Sequence, residues 1–303
     1  MLSPAPLRAL LFRFLIADNM RKHEARKQTV RSSQLLEIML NPFAAIFRNR
    51  SKAVPLPSVP AGERYYVIGD VHGRRDLFAK LIEAIDEDDR QAGVAATTVV
   101  LLGDLVDRGP DSAGVIADAI DWQERRTVRC LAGNHEEMFL DSFTDTDVLR
   151  HFVKHGGRET IMSYGVERKR YNALSLDELQ QTMNEVVPQQ HRDFLESFEE
   201  MIIAGDYAFV HAGIDPKRAI DEQKRKDLLW IRDRFLSHEG ALSHVVVHGH
   251  TIFDEVVDHG NRIGIDTGAY RSGKLTALVL EGDLRRYIQT VDNGDHLSIE
   301  KVD

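Results

Sequence analysis

A single cysteine, Cys130, stands in 303 residues, so no disulfide can form within the chain and the fold has to close on packing. Cys130 lies in the apolar run TVRCLAG, where a cysteine acts as a small hydrophobe and not as a nucleophile. Its isolation suits a reducing compartment, and a cytoplasmic location is the expectation. Long hydrophobic runs are also missing. The apolar stretch LRALLFRFLI is interrupted by Arg8 and Arg13 and falls short of the ~20 residues that a membrane span needs. No small-residue cleavage site follows it, so it does not read as a secretory leader. There is no internal repeat and no low-complexity tract. Positive charge is in deficit, with 39 Lys and Arg against 48 Asp and Glu, a net of −9. Through Lys52, ten basic and three acidic residues give +7, which leaves −16 on the remainder. A body that acidic argues against broad nucleic-acid binding, and no nucleic-acid partner is expected.

What is present reads as a soluble, globular chain: 43% hydrophobic and 29% charged residues, long enough to bury a sizeable core. Residues 1–60 form a basic extension and linker. The extension reads either as a docking or poorly ordered segment, or as an amphipathic helix on an anionic membrane surface. Three of the nine prolines fall in AVPLPSVPAG, which marks the linker. Residues 61–303 form the domain. In it, RYYVIGD, TTVVLLGD and TVRCLAGN read as strands, and RRDLFAKLIEAIDED and SAGVIADAIDWQ between them have helical spacing. That alternation predicts βαβ units. Residues about 141–200 read as a helical insertion of unassigned role. Strands resume at DYAFVHAG, HVVVHGHT, RIGIDTG, LTALVLEG and RRYIQTV.

Five of these strands end in a Gly-flanked turn bearing side chains that bind metals: GDVHG, GDLVDRG, GNHE, HAG and HGHT. Each alone has a plain structural explanation, such as a capping Asp, an Asn N-cap or a half-buried histidine. Together they could converge, because ligands collect beyond the carboxyl ends of strands in open α/β sheets. Imidazole mixed with carboxylate and amide oxygen, without thiolate, suits Mn, Fe, Zn or Co. Several carboxylates, one able to bridge, suggest two cations ~3.5–4 Å apart that would acidify a water and neutralise a phosphate dianion.

In this order the five motifs resemble those of the calcineurin-like metallophosphoesterases, and within them the phosphoprotein phosphatase group with its bacterial and phage serine/threonine phosphatases. The resemblance runs from about Arg64 to about Gly282. It implies an α/β fold of two mixed sheets stacked as a sandwich and flanked by helices. It also implies two divalent metal ions, manganese first and iron or zinc as alternatives. On this resemblance Asp70 and His72 hold the first metal, Asp104 bridges, and Asn134, His211 and His250 complete the second. His135 is the general acid, Asp107 its carboxylate partner, and Arg108 the phosphate clamp. LLWIRDRF resembles the family's Trp-x-Arg stretch and nominates Arg232 as a second clamp. His248 fits the turn without being required as a ligand.

The implied activity is phosphomonoester hydrolysis by a hydroxide held between the metals, without a phosphoenzyme, on a phosphorylated protein or a small phosphoester. Symmetric dinucleoside tetraphosphate hydrolysis is the alternative, and a phosphate-binding module without turnover is another. Asp107 favours the protein phosphatase, because a partnered acid suits a serine or threonine alkoxide leaving group.

Overall fold

The computed structural model describes Leu56–Val302, so both readings of the basic extension lie outside the described residues. None of the described helices is long and apolar enough to cross a membrane. Among the described residues, eleven strands form two sheets. The first contains β1 (Glu63–Ile68), β2 (Ala96–Leu101), β3 (Val128–Cys130), β9 (Lys274–Glu281), β10 (Leu284–Asp292) and β11 (Leu297–Val302), in the order β11-β10-β9-β1-β2-β3. The second contains β4 (Met201–Ala204), β5 (Tyr207–Val210), β6 (Val245–His248), β7 (Val257–Asp258) and β8 (Arg262–Gly264), in the order β4-β5-β6-β8-β7. Both are mixed: β1, β2 and β3 run parallel, as do β5, β6 and β8, with antiparallel strands at the flanks.

The alternation of side chains along a strand builds three layers. From β1, Tyr65 and Val67 point into the core between the sheets, where Val100, Tyr207, Phe209, Val245, Val247 and Leu278 meet them. Tyr66 and Ile68 point the other way, into a core shared with α1 (Arg75–Gln91) and α2 (Ser112–Arg125). The expected apolar stripe of α1, Leu77, Phe78, Leu81, Ile82 and Ile85, is the face it buries there. A third cluster covers the outer face of the second sheet, with Val210 and Val246 under Leu228, Leu229 and Phe235.

After α3 (Asn134–Asp141) come α4 (Thr146–Phe152), α5 (Arg158–Ser163), α6 (Arg168–Tyr171), α7 (Leu176–Val186) and α8 (Gln189–Glu196). The end of the proline-rich stretch packs on the body. Val59 is buried between the sheets, and its N–H donates to the Gly282 carbonyl at 2.9 Å. Strands β4, β7 and β11 have no counterpart in the sequence reading. β4 forms a hairpin with β5 across Gly205 and Asp206, and β11 is largely exposed at the sheet edge.

Candidate metal centre

The five motifs meet where β1, β2, β5 and β6 end. Asp70 and His72 follow β1, Asp104 follows β2, Asn134 and His135 open α3, His211 follows β5 and His250 follows β6. All seven side chains are buried. The metal-binding atoms of Asp104, His211 and His250 lie within 4.8 Å of one another, as do those of His72, Asp104 and His135. Asn134 joins the first of these groups, its Oδ1 lying 3.0 Å from His211 Nε2 and 2.7 Å from His250 Nδ1. Asp70 Oδ2 is 4.0 Å from His72 Nε2, and its carboxylate accepts the His250 N–H.

The backbone is bent to reach this arrangement. Among the described residues, five other than glycine have positive φ: His72 (47°), Asp104 (51°), Asp107 (75°), Arg108 (70°) and His250 (62°). Every one is a residue that the motifs single out. A side chain in this region costs roughly 1–3 kcal/mol and persists only where its surroundings enforce it, which happens mostly at functional sites. Gly249 shows how tight the turns are, since a Cβ there would sit 2.0 Å from Asp70 Oδ1.

The donor chemistry fits bound cations. His72 and His211 each donate Nδ1–H to a backbone carbonyl, Val106 and Leu102 respectively, both at 2.8 Å. Burial keeps both rings well on the neutral side of ordinary histidine, so each turns a bare Nε2 lone pair inward. His211 Nε2 then faces the Asn134 carbonyl oxygen and Asp104 Oδ1, the latter at 3.4 Å, acceptor against acceptor. A positive ion among these atoms would turn a repulsive cluster into a coordinated one. His250 Nε2 and Asp266 Oδ2 are buried without a partner, and burial takes His250 down to about 2.

The carboxylates respond in opposite directions. Burial, with Asp266 and Asp104 nearby, pushes Asp70 well above the usual carboxylate range. Burial alone would raise Asp104 too, but the positive charge that the surrounding His211, His135, His72 and His250 can take up overrides it and holds Asp104 low. Asp266, beside Asp70, is pushed up to about 6, first by burial. Three crowded buried acids make a strong electrostatic demand for cations.

Beside this cluster, His135 Nδ1 is 2.6 Å from Asp107 Oδ2. Burial would lower the His135 pKa, yet Asp104 and Asp107 outweigh it and hold the ring above ordinary histidine. Arg108 reaches into the centre, with Nη1 2.6 Å from His72 Nε2 and Nη2 2.8 Å from His135 Nε2. Its guanidinium lies over the Tyr270 ring, 4.9 Å from the centroid. Arg232 is exposed, just before the short helix Asp233–Leu236, and its charge adds to burial in lowering His211 and His250. His248 is buried edge-on to Phe235 at 5.1 Å, outside both groups of converging atoms.

Four residues of this neighbourhood escape a reading by motif: Glu136 as a brace, Thr160, Asp266 and Tyr270. The buried Glu136 carboxylate accepts the N–H groups of Asp104 (2.7 Å), Leu105 (2.7 Å), Val106 (3.3 Å) and Gly133 (3.0 Å). Burial and the Asp104 charge raise Glu136 to about 7, against those four donors, whose geometry matches the ionised form. Glu136→Gln turns an amide NH2 against backbone N–H groups. It is expected to destabilise the fold by about 2–4 kcal/mol, as breaking a buried charged network does. Urea unfolding reads this directly, and a change below ~0.5 kcal/mol would deny the brace.

The comparisons with known proteins agree with this geometry. Residues 63–271 match the model of the calcineurin-like phosphoesterase family. The chain is 28% identical over 216 residues to serine/threonine-protein phosphatase 1 of Salmonella typhimurium, covering 70% of this chain and 89% of that protein. It is also 28% identical over 235 residues to the asymmetrical bis(5'-nucleosyl)-tetraphosphatase PrpE of Bacillus subtilis, covering 70% and 88%. A solved structure provisionally called a diadenosine tetraphosphatase superposes with TM-score 0.54 at 22% identity, covering 79% of this chain and all of that one, a likeness of fold. The chain therefore belongs to the calcineurin-like phosphoesterase family and is a metal-dependent phosphoric ester hydrolase.

Proposed function

We propose that the protein is a serine/threonine protein phosphatase, and the observation that carries this reading is the 2.6 Å contact between His135 Nδ1 and Asp107 Oδ2. Asp70, His72 and Asp104 would hold one divalent cation, and Asp104, Asn134, His211 and His250 the other. Manganese is the first choice for this mixture of nitrogen and oxygen donors, with iron or zinc as alternatives. The bound metals supply Lewis acidity, lowering the pKa of water and offsetting the charge of the phosphate.

The chain's own residues do the rest. Arg108 and Arg232 bind the phosphate oxygens, Arg108 as a two-nitrogen fork suited to an oxyanion. Arg108 now covers His72 Nε2 and His135 Nε2, nitrogens wanted for a cation and for the departing proton. With His72 on a cation, drawing Arg108 onto a phosphate would leave His135 Nε2 free. His135 then protonates the leaving oxygen from Nε2 while Asp107 holds Nδ1–H and the ring orientation. A poor leaving group, the alkoxide of serine or threonine, needs that proton most.

Hydrolysis of dinucleoside tetraphosphates is the second reading, favoured by the relatives named for it at the same identity as the protein phosphatase. With manganese and equal enzyme, kcat/KM is expected to be larger for a phosphoserine peptide than for diadenosine tetraphosphate. A preference for the dinucleotide by orders of magnitude would replace the first reading with the second. The extension and its membrane surface are a separate proposal: liposome binding by the full chain should be lost when residues 1–52 are deleted.

A further inference from the structure

The insertion does more than flank the site. Between α4 and α5, residues Val153–Gly157 form a kinked turn in which Gly156 has φ 112°. There the Gly156 carbonyl accepts the Arg108 N–H at 3.1 Å. A Cβ on Gly156 would come within 2.7 Å of Arg108 N, so only glycine lets the insertion lie this close. Seven residues further on, Ser163 Oγ accepts the Ala113 N–H at 3.0 Å. Between these two ties sits Thr160, wholly buried.

The Thr160 hydroxyl donates to Asp107 Oδ1 at 2.6 Å and accepts the Asp107 N–H at 2.8 Å. That N–H is shared with Ser112 Oγ at 3.0 Å. A hydroxyl has one proton, and that of Thr160 is spent on the carboxylate. The 3.0 Å contact between Ser112 Oγ and Thr160 Oγ1 must then be donated by Ser112. With Asp107 ionised, the donors run Ser112 to Thr160, Thr160 to Asp107 Oδ1, and His135 to Asp107 Oδ2. Asp107 has positive φ, a strained conformation that its surroundings must hold, and these bonds are among what holds it.

We infer that Thr160, contributed by the helical insertion, is a positioning residue for the Asp107–His135 pair, so that the insertion is part of the catalytic apparatus. This rests on His135 being the general acid. Thr160 touches no reacting atom; it sets the direction of Asp107 and, through it, of the imidazole that protonates the leaving oxygen. Its loss should therefore fall hardest on substrates that need the proton.

The test compares phenyl phosphate with p-nitrophenyl phosphate, whose leaving group is the better of the two, at saturating manganese. Thr160→Val keeps the shape and removes the hydroxyl. The ratio of kcat for p-nitrophenyl to phenyl phosphate is expected to rise about tenfold, part of the ~10²–10⁴ that a general acid contributes. Thr160→Ser should restore the wild-type ratio. Ser112→Ala, which frees the Thr160 hydroxyl, should raise the ratio by a smaller factor and serves if Thr160→Val does not fold. In the metal-free protein, the low-field NMR resonance of His135 Nδ1–H should move upfield in Thr160→Val and return in Thr160→Ser. An unchanged ratio, equal losses on both substrates, or no rescue by serine overturns the inference. His135→Asn is the control. If it raises the ratio while Thr160→Val does not, only the role of Thr160 falls; if it does not, the acid assignment falls and the inference with it.

Discussion

Asp104→Asn is expected to lower turnover of any phosphoester by at least about a thousandfold and to reduce manganese binding from two ions per chain to at most one weak ion. Asp104 alone lies in both groups of converging donor atoms, with carboxylate oxygens 3.4 Å from His211 Nε2 and 3.6 Å from His72 Nε2. Replacing it by a neutral amide would remove the charge common to the two cations of the proposed centre. Three factors of ten correspond to ~4 kcal/mol, an ordinary loss of metal-derived charge stabilisation. The substitution also isolates the effect, because asparagine tolerates the left-handed backbone at this position. Its side-chain oxygen can still accept the His135 N–H that Asp104 Oδ1 now takes at 3.0 Å. Calorimetric titration with manganese gives the stoichiometry and a rate assay the turnover. Retention of two ions with more than a tenth of the activity would remove Asp104 as the bridge.

His135→Asn is expected to lower kcat on a phosphoserine peptide by ~10²–10⁴, with metal stoichiometry intact. The pH dependence carries the same assignment. An imidazole held above the ordinary histidine range keeps its proton to higher pH, so acid catalysis is complete below the ordinary value and is lost only as pH rises through the raised one. Were cations to neutralise Asp104, Asp107 would be the carboxylate that maintains the shift. Asp107→Asn should therefore move the alkaline fall in kcat to lower pH. An alkaline limb that stays where it was in Asp107→Asn would show that another group supplies the proton.

Much of this centre was legible because buried parallel strands write themselves as unbroken apolar runs, such as TTVVLL, and each ends in a glycine turn with its polar residues adjacent in sequence. Adjacency is what a motif records. Glu136, Thr160, Asp266 and Tyr270 were not assigned because their partners are remote or are backbone groups. Glu136 braces N–H groups around 30 residues upstream, and Thr160 meets Asp107 53 residues away. The one local signal for Thr160 is the Gly156–Gly157 pair inside a helical stretch, an expensive choice unless something packs against it. Strand β11 was missed for another reason. Most of LSIEKV is exposed, so it lacks the buried run that betrays the inner strands, and its place is set partly by Lys301 reaching Asp88 on α1 at 2.9 Å. Strand β4 hid behind the helical run before it, although the two residues Gly205–Asp206 between apolar segments are a hairpin signal.

The five side chains carried on left-handed backbone have a consequence for how this enzyme can change. At those positions the fold already behaves as though it wanted glycine, and a glycine would relax each turn. Pressure for heat resistance alone would thus reward replacements at the very positions proposed to carry the chemistry. A more durable descendant has to find its stability elsewhere, in the sandwich or under the helices, and leave the uncomfortable turns as they are.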